Sequence, residues 1–181
     1  VKCEKQQVAA LAEYLQGVLA DLPPIDDPTP VPLDLVPPLD PEWVAGNRVL
    51  DFGAGSGVAG IAAVKAGALY VVARDLDPLA LGACRANAEL NGVTLGYSAD
   101  FFAEADRFDL ILVADVLYDR ANLPLLDQFL TRGREALVAD SRVRDFQHAD
   151  YQRLGILEAL TLPDLAEPWE FRRVSLYHSR R

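Results

Sequence analysis

The stretch Arg48-Val-Leu-Asp-Phe-Gly-Ala-Gly-Ser-Gly-Val-Ala-Gly60 decides how this chain reads. Val49, Leu50 and Phe52 form a short apolar run that carries Asp51, and Gly53, Gly55 and Gly57 then alternate before an alanine-rich segment. The pattern predicts a strand, a glycine turn and a helix N-terminus. Glycine adopts positive φ without penalty and lets backbone approach a ligand closely. The first turn of a helix adds N–H groups that have no intrahelical partner. Gly53, Ala54, Gly55 and Gly57 are therefore candidate ligand-binding residues.

Downstream, residues 57–66 suit a helix stopped by Gly67, and 69–73 is a continuous apolar run, the mark of a strand covered on both faces. Asp77 with Pro78 predicts the start of a helix running to about Asn91, which accounts for Asp77 as a cap. Strands are expected over 93–98, 108–114 and 136–139, with a helix over 121–132 between the last two. Two more strand candidates, 155–162 and 170–178, close the chain. Strands alternating with helices predict an α/β, doubly wound, mostly parallel sheet with helices on both faces and an antiparallel end. Ligands of such sheets sit beyond the carboxyl ends of the strands, near the switch in strand order. Asp51, Asp75, Asp100, Asp115 and Asp140 each fall at or just past an expected strand end, so one rim should gather them.

Upstream, residues 4–22 have the three- and four-residue apolar spacing of an amphipathic helix. Eight of the nineteen residues from 23 to 41 are proline, which predicts an extended linker ahead of a main domain over 42–181. The formal charge of −10 weighs against a nucleic-acid binder, which needs cations against phosphate. It suits a small ligand or a partner that presents lysines. Cys3 and Cys84 have neither metal-site nor disulfide-framework spacing, from which no metal and a reducing, cytoplasmic setting are expected. No run has the length of a membrane span and no secretory pattern precedes Val8, so no membrane is expected as a partner. The chain has no methionine, as expected either of a piece of a longer protein or of an edited sequence.

Two registers compete at the glycine turn. Gly55-x-Gly57-x-x-Gly60 matches a dinucleotide fingerprint, with Asp75 some 20 residues on as the ribose acid. The other register is Asp51-x-Gly53-x-Gly55-x-Gly57. A carboxylate at 51 would repel a pyrophosphate. It would welcome an α-ammonium or sulfonium, which points to S-adenosylmethionine rather than NAD. Gly60 then serves to let the helix cross the sheet closely.

Val49 to Gly57, Asp75-Leu76-Asp77-Pro78, Asp100-Phe101 and Ala114-Asp115-Val116-Leu117-Tyr118-Asp119, in that order and spacing, resemble the seven-strand class I methyltransferases. Within them the chain looks most like the protein lysine methyltransferases with an Asp-x-x-Tyr signature, in the branch that modifies the electron-transfer flavoprotein β subunit. The resemblance covers about 42–180. It implies that the glycines and Ala54 wrap the methionine part of S-adenosylmethionine, with Asp51 facing that end. It implies that Asp75 accepts from the ribose hydroxyls, that Leu76 packs on the adenine face, and that Asp100 and Phe101 meet the adenine edge and ring. That branch carries an aromatic-rich Pro-Phe/Tyr-Trp segment before the first strand. Here the proline-rich stretch stands in that place, with Trp43 nearby.

The catalytic pair implied is Asp115, orienting an acceptor amine, and Tyr118, as an aromatic wall or hydroxyl contact. The residues alone leave open a core role for Tyr118 and a capping role for Asp115. Adenine-methylating relatives carry prolines inside this motif; this chain has none there, which speaks against a nucleobase acceptor. The expected acceptor is a protein lysine; a small-molecule amine, or a cofactor-binding module without turnover, are the alternatives. Asp140, Ser141, Arg142 and Arg144 follow the next strand and either line the substrate mouth or form a solvated loop. His148 and His178 are expected to be surface residues.

Overall fold

The computed structural model describes residues 39–101, 107–143, 146–158 and 168–180. The expected helix over 4–22, most of the proline-rich linker, Arg144 and the far end of the 155–162 strand lie outside them.

A short helix α1 (Pro41–Val44) leads into β1 (Arg48–Phe52), α2 (Val58–Lys65), β2 (Tyr70–Arg74), α3 (Pro78–Leu90), β3 (Gly96–Ser98) and β4 (Phe108–Ala114). A 3-10 turn (Arg120–Asn122), α4 (Leu125–Arg132), β5 (Gly133–Asp140), β6 (Gln152–Glu158), a second 3-10 turn (Trp169–Arg172) and β7 (Arg173–Arg180) complete the described chain. The seven strands form one sheet in the order β3-β2-β1-β4-β5-β7-β6. The first five are parallel; β7 runs antiparallel to both β5 and β6.

The buried apolar residues of the strands fall into two cores. Val49, Val71, Leu110, Leu112 and Leu137 pack with α2, with Cys84 and Ala88 of α3, and with Leu39 and Val44 on one face. Leu50, Val72, Ile111, Val113 and Val138 pack with Leu126, Phe129 and Leu130 of α4 and with Tyr151 on the other. Burial on both faces is why these strands read as apolar runs rather than alternations. Leu39 is already core and donates its N–H to Ala62 O at 3.3 Å, and Asp40 caps α1 through Glu42 N, so the folded domain includes residues assigned above to the linker.

The expected helix over 121–132 is divided. Asp119 caps the 3-10 turn, and Pro124 stands at the start of α4, where its missing N–H is tolerated. β5 begins earlier than expected, at Gly133, because a side chain there would collide with Ile111 and glycine has none. β6 begins at Gln152, paired with His178 of β7 through an irregularity between Arg153 and Gly155.

β1 and β4 are neighbours, yet the chain leaves β1 toward β2 and β3 and leaves β4 toward β5. The switch point of the sheet therefore lies between them, with the glycine turn above β1 and Asp115 above β4.

Candidate functional site

The glycine turn is held from β2. Gly53 N and Ala54 N donate to Arg74 O at 2.8 and 3.0 Å, and Gly55 N donates to Asp75 Oδ2 at 2.9 Å. Gly53, Gly55 and Gly57 have φ of 69°, 52° and 83°. Their roles differ. A Cβ on Gly53 would come within 2.7 Å of Val116 Cγ2, and one on Gly57 would collide with Cys84 Sγ, so these two glycines serve the protein's own packing. A Cβ on Gly55 meets nothing within 4 Å. Gly55 is the glycine that borders open space.

Asp51 lies beneath the turn. It is only 4% exposed, and its Oδ2 accepts from Gly60 N, in the first turn of α2, at 2.8 Å. Burial pushes its pKa up to about 7, against the opposing Gly60 N–H and with a further upward push from Asp75. Gly60 has to be small, because its Cβ would sit 3.0 Å from Asp51 Oδ2 and 3.4 Å from Val71. The last glycine of the dinucleotide match thus serves helix–sheet contact, as expected.

Asp75 stands just past β2. While Oδ2 takes Gly55 N, Oδ1 takes Asp77 N at 2.9 Å, and Asp77 Oδ1 in turn caps α3 through Leu79 N. Beside it Leu76 and Leu79 are 85% and 78% exposed, an apolar step next to a carboxylate. Asp100 is exposed past β3, its N–H donating to Ser98 Oγ. Phe101 differs from expectation. It is 4% exposed, its ring meets Phe52 and Phe129 edge-on, and the guanidinium groups of Arg74 and Arg132 lie 5.6 and 5.0 Å from its centroid. The ring belongs to the core; apolar area of that size is worth more there than on an open rim. Its carbonyl is held by the buried Arg74 at 3.2 Å.

Asp115 is the one non-glycine residue with positive φ, 48°, among the described residues. Such a conformation persists only where surrounding contacts enforce it, and it is common at functional sites. Here Asp115 N donates to Ala139 O at 2.8 Å, and Oδ1 accepts from both Ser141 N and Ser141 Oγ at 2.7 and 2.8 Å. Oδ2 takes no hydrogen bond from the described residues. Asp140, fully buried, braces the same corner by accepting from Leu117 N, Arg142 N and Val143 N. Burial raises its pKa against those donors, and Asp115 raises it further. Asp140 and Ser141 are therefore neither mouth lining nor a solvated loop; they hold the corner from below. Tyr118, one turn beyond, is 63% exposed, which removes the core reading.

Sequence reasoning missed Ser141 as the partner of Asp115, and it missed Trp169, 66% exposed ahead of β7. β7 starts opposite the rim end of β5, since Ser175 pairs with Asp140, so Trp169 belongs to the same rim as Tyr118. The histidines are less exposed than expected. His178 meets Glu135 Oε2 at 3.0 Å and Trp43 edge-on, and His148 meets Asp127 Oδ1 at 3.1 Å. A cavity of about 380 Å³ lined by Phe146, His148, Tyr151, Arg153 and Tyr177 contains none of the expected site residues. Among the described residues no cluster of His, Cys, Asp and Glu is arranged to hold a metal, and no helix is long and apolar enough to cross a membrane.

The rim fits S-adenosylmethionine on its own geometry. Gly55 leaves room beside the turn, Asp75 presents two carboxylate oxygens suited to a vicinal diol, and Leu76 offers an apolar face next to it.

A family model described as ribosomal protein L11 methyltransferase (PrmA) matches residues 36–130, which contain the glycine turn, Asp75, Asp115 and Tyr118. Electron transfer flavoprotein beta subunit lysine methyltransferase of Danio rerio is 40% identical over 134 residues, covering 69% of this chain and 52% of that protein. Ribosomal protein L11 methyltransferase of Aeromonas hydrophila is 48% identical over 77 residues, 42% of this chain and 23% of that one. The crystal structure of ribosomal protein L11 methylase from Lactobacillus delbrueckii subsp. bulgaricus matches with a TM-score of 0.60 at 25% identity, covering 79% of this chain and 76% of that one. The chain spans about half the length of the flavoprotein-methylating relatives it matches.

Proposed function

The chain belongs to the ribosomal protein L11 methyltransferase (PrmA) family, and we propose that it is the catalytic domain of an S-adenosylmethionine-dependent methyltransferase whose acceptor is a protein lysine, the electron-transfer flavoprotein β subunit being the first candidate. When bound, S-adenosylmethionine supplies a methyl group on a positively charged sulfur. The residues of the chain do the rest by placement. Asp75 takes the ribose hydroxyls and Leu76 the adenine face, while Gly55 keeps the space between turn and ligand open. Asp51 supplies negative charge beneath the turn for the ammonium end.

The observation that carries the acceptor side is Asp115. Its left-handed backbone and the two hydrogen bonds from Ser141 fix one oxygen and leave the other unengaged at the strand end next to the glycine turn. A lysine amine has a reference pKa of about 10.4 and reacts only after losing a proton. Asp115 Oδ2 would accept a hydrogen bond from that amine and aim its lone pair, with the Tyr118 ring walling off water. Orientation then supplies most of the acceleration, since no covalent intermediate with the chain is needed. The flavoprotein acceptor draws support from the Danio rerio relative, whose match extends over more of this chain than that of the Aeromonas hydrophila one.

Incubation with labelled S-adenosylmethionine and, in parallel, purified flavoprotein β subunit, ribosomal protein L11 and a panel of small amines tests this. Methyl-lysine on the β subunit, located by mass spectrometry, is the expected result. Transfer to small amines alone would replace the acceptor class. Tight cofactor binding with no transfer to any of them would make the domain a binding module.

A further inference from the structure

The glycine turn is supported from β2 above, but its Ser56 carbonyl is held from a different direction, by Asn87 of α3. Asn87 Nδ2 donates to Ser56 O at 2.9 Å across 31 residues of sequence. Asn87 is 3% exposed, and its Oδ1 is buried with no hydrogen-bond partner. A buried unpaired amide oxygen is costly, so this side chain is not there for packing alone. Leu81, Cys84 and Ala88, the buried apolar residues of the same helix, show what the core accepts at such positions. Turning the amide over would not help, because it would set Oδ1 against the Ser56 carbonyl. Cys84, one helical turn earlier, touches the adjacent Gly57 from the same side. Below the turn a polar chain continues, with Asn91 Nδ2 donating to Asn87 O at 2.8 Å and Lys65 Nζ, at the end of α2, to Asn91 Oδ1 at 2.6 Å.

We propose that Asn87 is a positioning residue for the cofactor: its bond to Ser56 O holds the glycine turn in the left-handed path that receives the ligand. This rests on the S-adenosylmethionine reading above. Asn87 reaches the ligand only through the turn, so losing it weakens binding of the cofactor and leaves the acceptor side intact. Asn91 serves as the internal contrast, since it joins α2 to α3 but makes no hydrogen bond to the turn.

The test compares wild type, Asn87→Leu, Asn87→Ala and Asn91→Ala by calorimetric titration with S-adenosylhomocysteine and by amide hydrogen exchange of residues 53–57 without ligand. Leucine keeps the branching at Cγ and removes the bond, at the cost of a larger side chain; alanine is the second route if leucine does not fold. The expected result is at least tenfold weaker binding and faster exchange at 53–57 in both Asn87 variants. Asn91→Ala should lower the melting temperature while binding within twofold of wild type. Asn87 variants that bind within twofold of wild type would overturn the inference alone. An Asn91→Ala protein that loses as much affinity for the same loss of melting temperature would reduce Asn87 to a stability effect and overturn it too. A wild-type protein that does not bind S-adenosylhomocysteine would overturn the cofactor reading itself.

Discussion

Replacing Asp51 with asparagine should change how stability responds to pH. In the fold its carboxyl is raised from 3.8 to about 7, chiefly by burial. Between those values the folded chain keeps a proton that the unfolded chain has released. Stability therefore falls as pH rises through the window and levels off above about 7. The span of about 3 units at 1.36 kcal/mol each makes the effect about 4 kcal/mol. Asparagine is nearly isosteric, keeps an oxygen for Gly60 N and does not titrate. Urea unfolding of both proteins from pH 4.5 to 8.5 should show Asp51→Asn gaining on wild type through the window, with a constant difference above it. Asp140 is also raised, but it is present in both proteins and cancels in the comparison. A difference that stays flat with pH would refute the reasoning, because Asp51 would then ionise alike in folded and unfolded chains. The same carboxyl should surrender its proton when the ammonium end of a ligand arrives. Titration of S-adenosylhomocysteine at pH 6.5 in buffers of different ionisation enthalpy should show proton release in wild type and less in the variant.

Asp75→Ala removes the acceptor for Gly55 N together with the proposed ribose contacts, and should weaken S-adenosylhomocysteine at least ~10-fold by calorimetry, at about 1.5–3 kcal/mol per hydrogen bond to a charged group. Asp115→Asn should lower kcat about 100-fold with cofactor affinity unchanged, the scale of losing one positioned electrostatic contact. Ser141→Ala keeps the backbone N–H but loses the hydroxyl bond to Asp115, so kcat should fall only about 3- to 10-fold. Gly55→Ala meets no atom and bears only the strain of its positive φ, about 1–2 kcal/mol, so it should fold and fail to bind cofactor. Gly53→Ala should lose more stability and recover part of it when Val116→Ala is added, read by melting temperature.

The sheet was legible because its signals are local. Apolar runs of five to seven residues, an N-cap with proline after it, and glycines at turns are written within single elements. The acids at the strand ends were legible for the same reason, as each follows its own strand. Their environments were not. Asp115 is oriented by a serine 26 residues away and Ser56 by an asparagine 31 residues away, separations that only the β1–β4–β5 pairing and the α3 crossing close. Phe101 misled for a related reason. An aromatic after a rim acid suits a ligand stack, but Arg74, Phe52 and Phe129 arrive from three other elements and enclose it.

That difference explains how one edge of a sheet tolerates so many carboxylates. Asp51, Asp75 and Asp140 each face backbone N–H groups: one from the start of α2, one from the turn and one from the cap of α3, and three from the loops after β4 and β5. A carboxylate that accepts from fixed N–H dipoles is held in place, and part of its charge is answered before a ligand arrives. Asp115 differs from Asp75 and Asp140, which accept on both oxygens, because its hydrogen bonds converge on a single one. Asp51 shares that one-sided pattern but is buried beneath the turn, whereas Asp115 is only half-buried at its strand end. The spacing of aspartates therefore marks the rim, but the placement of donors together with exposure separates the acids beneath and beside the cofactor from the one that would meet an acceptor.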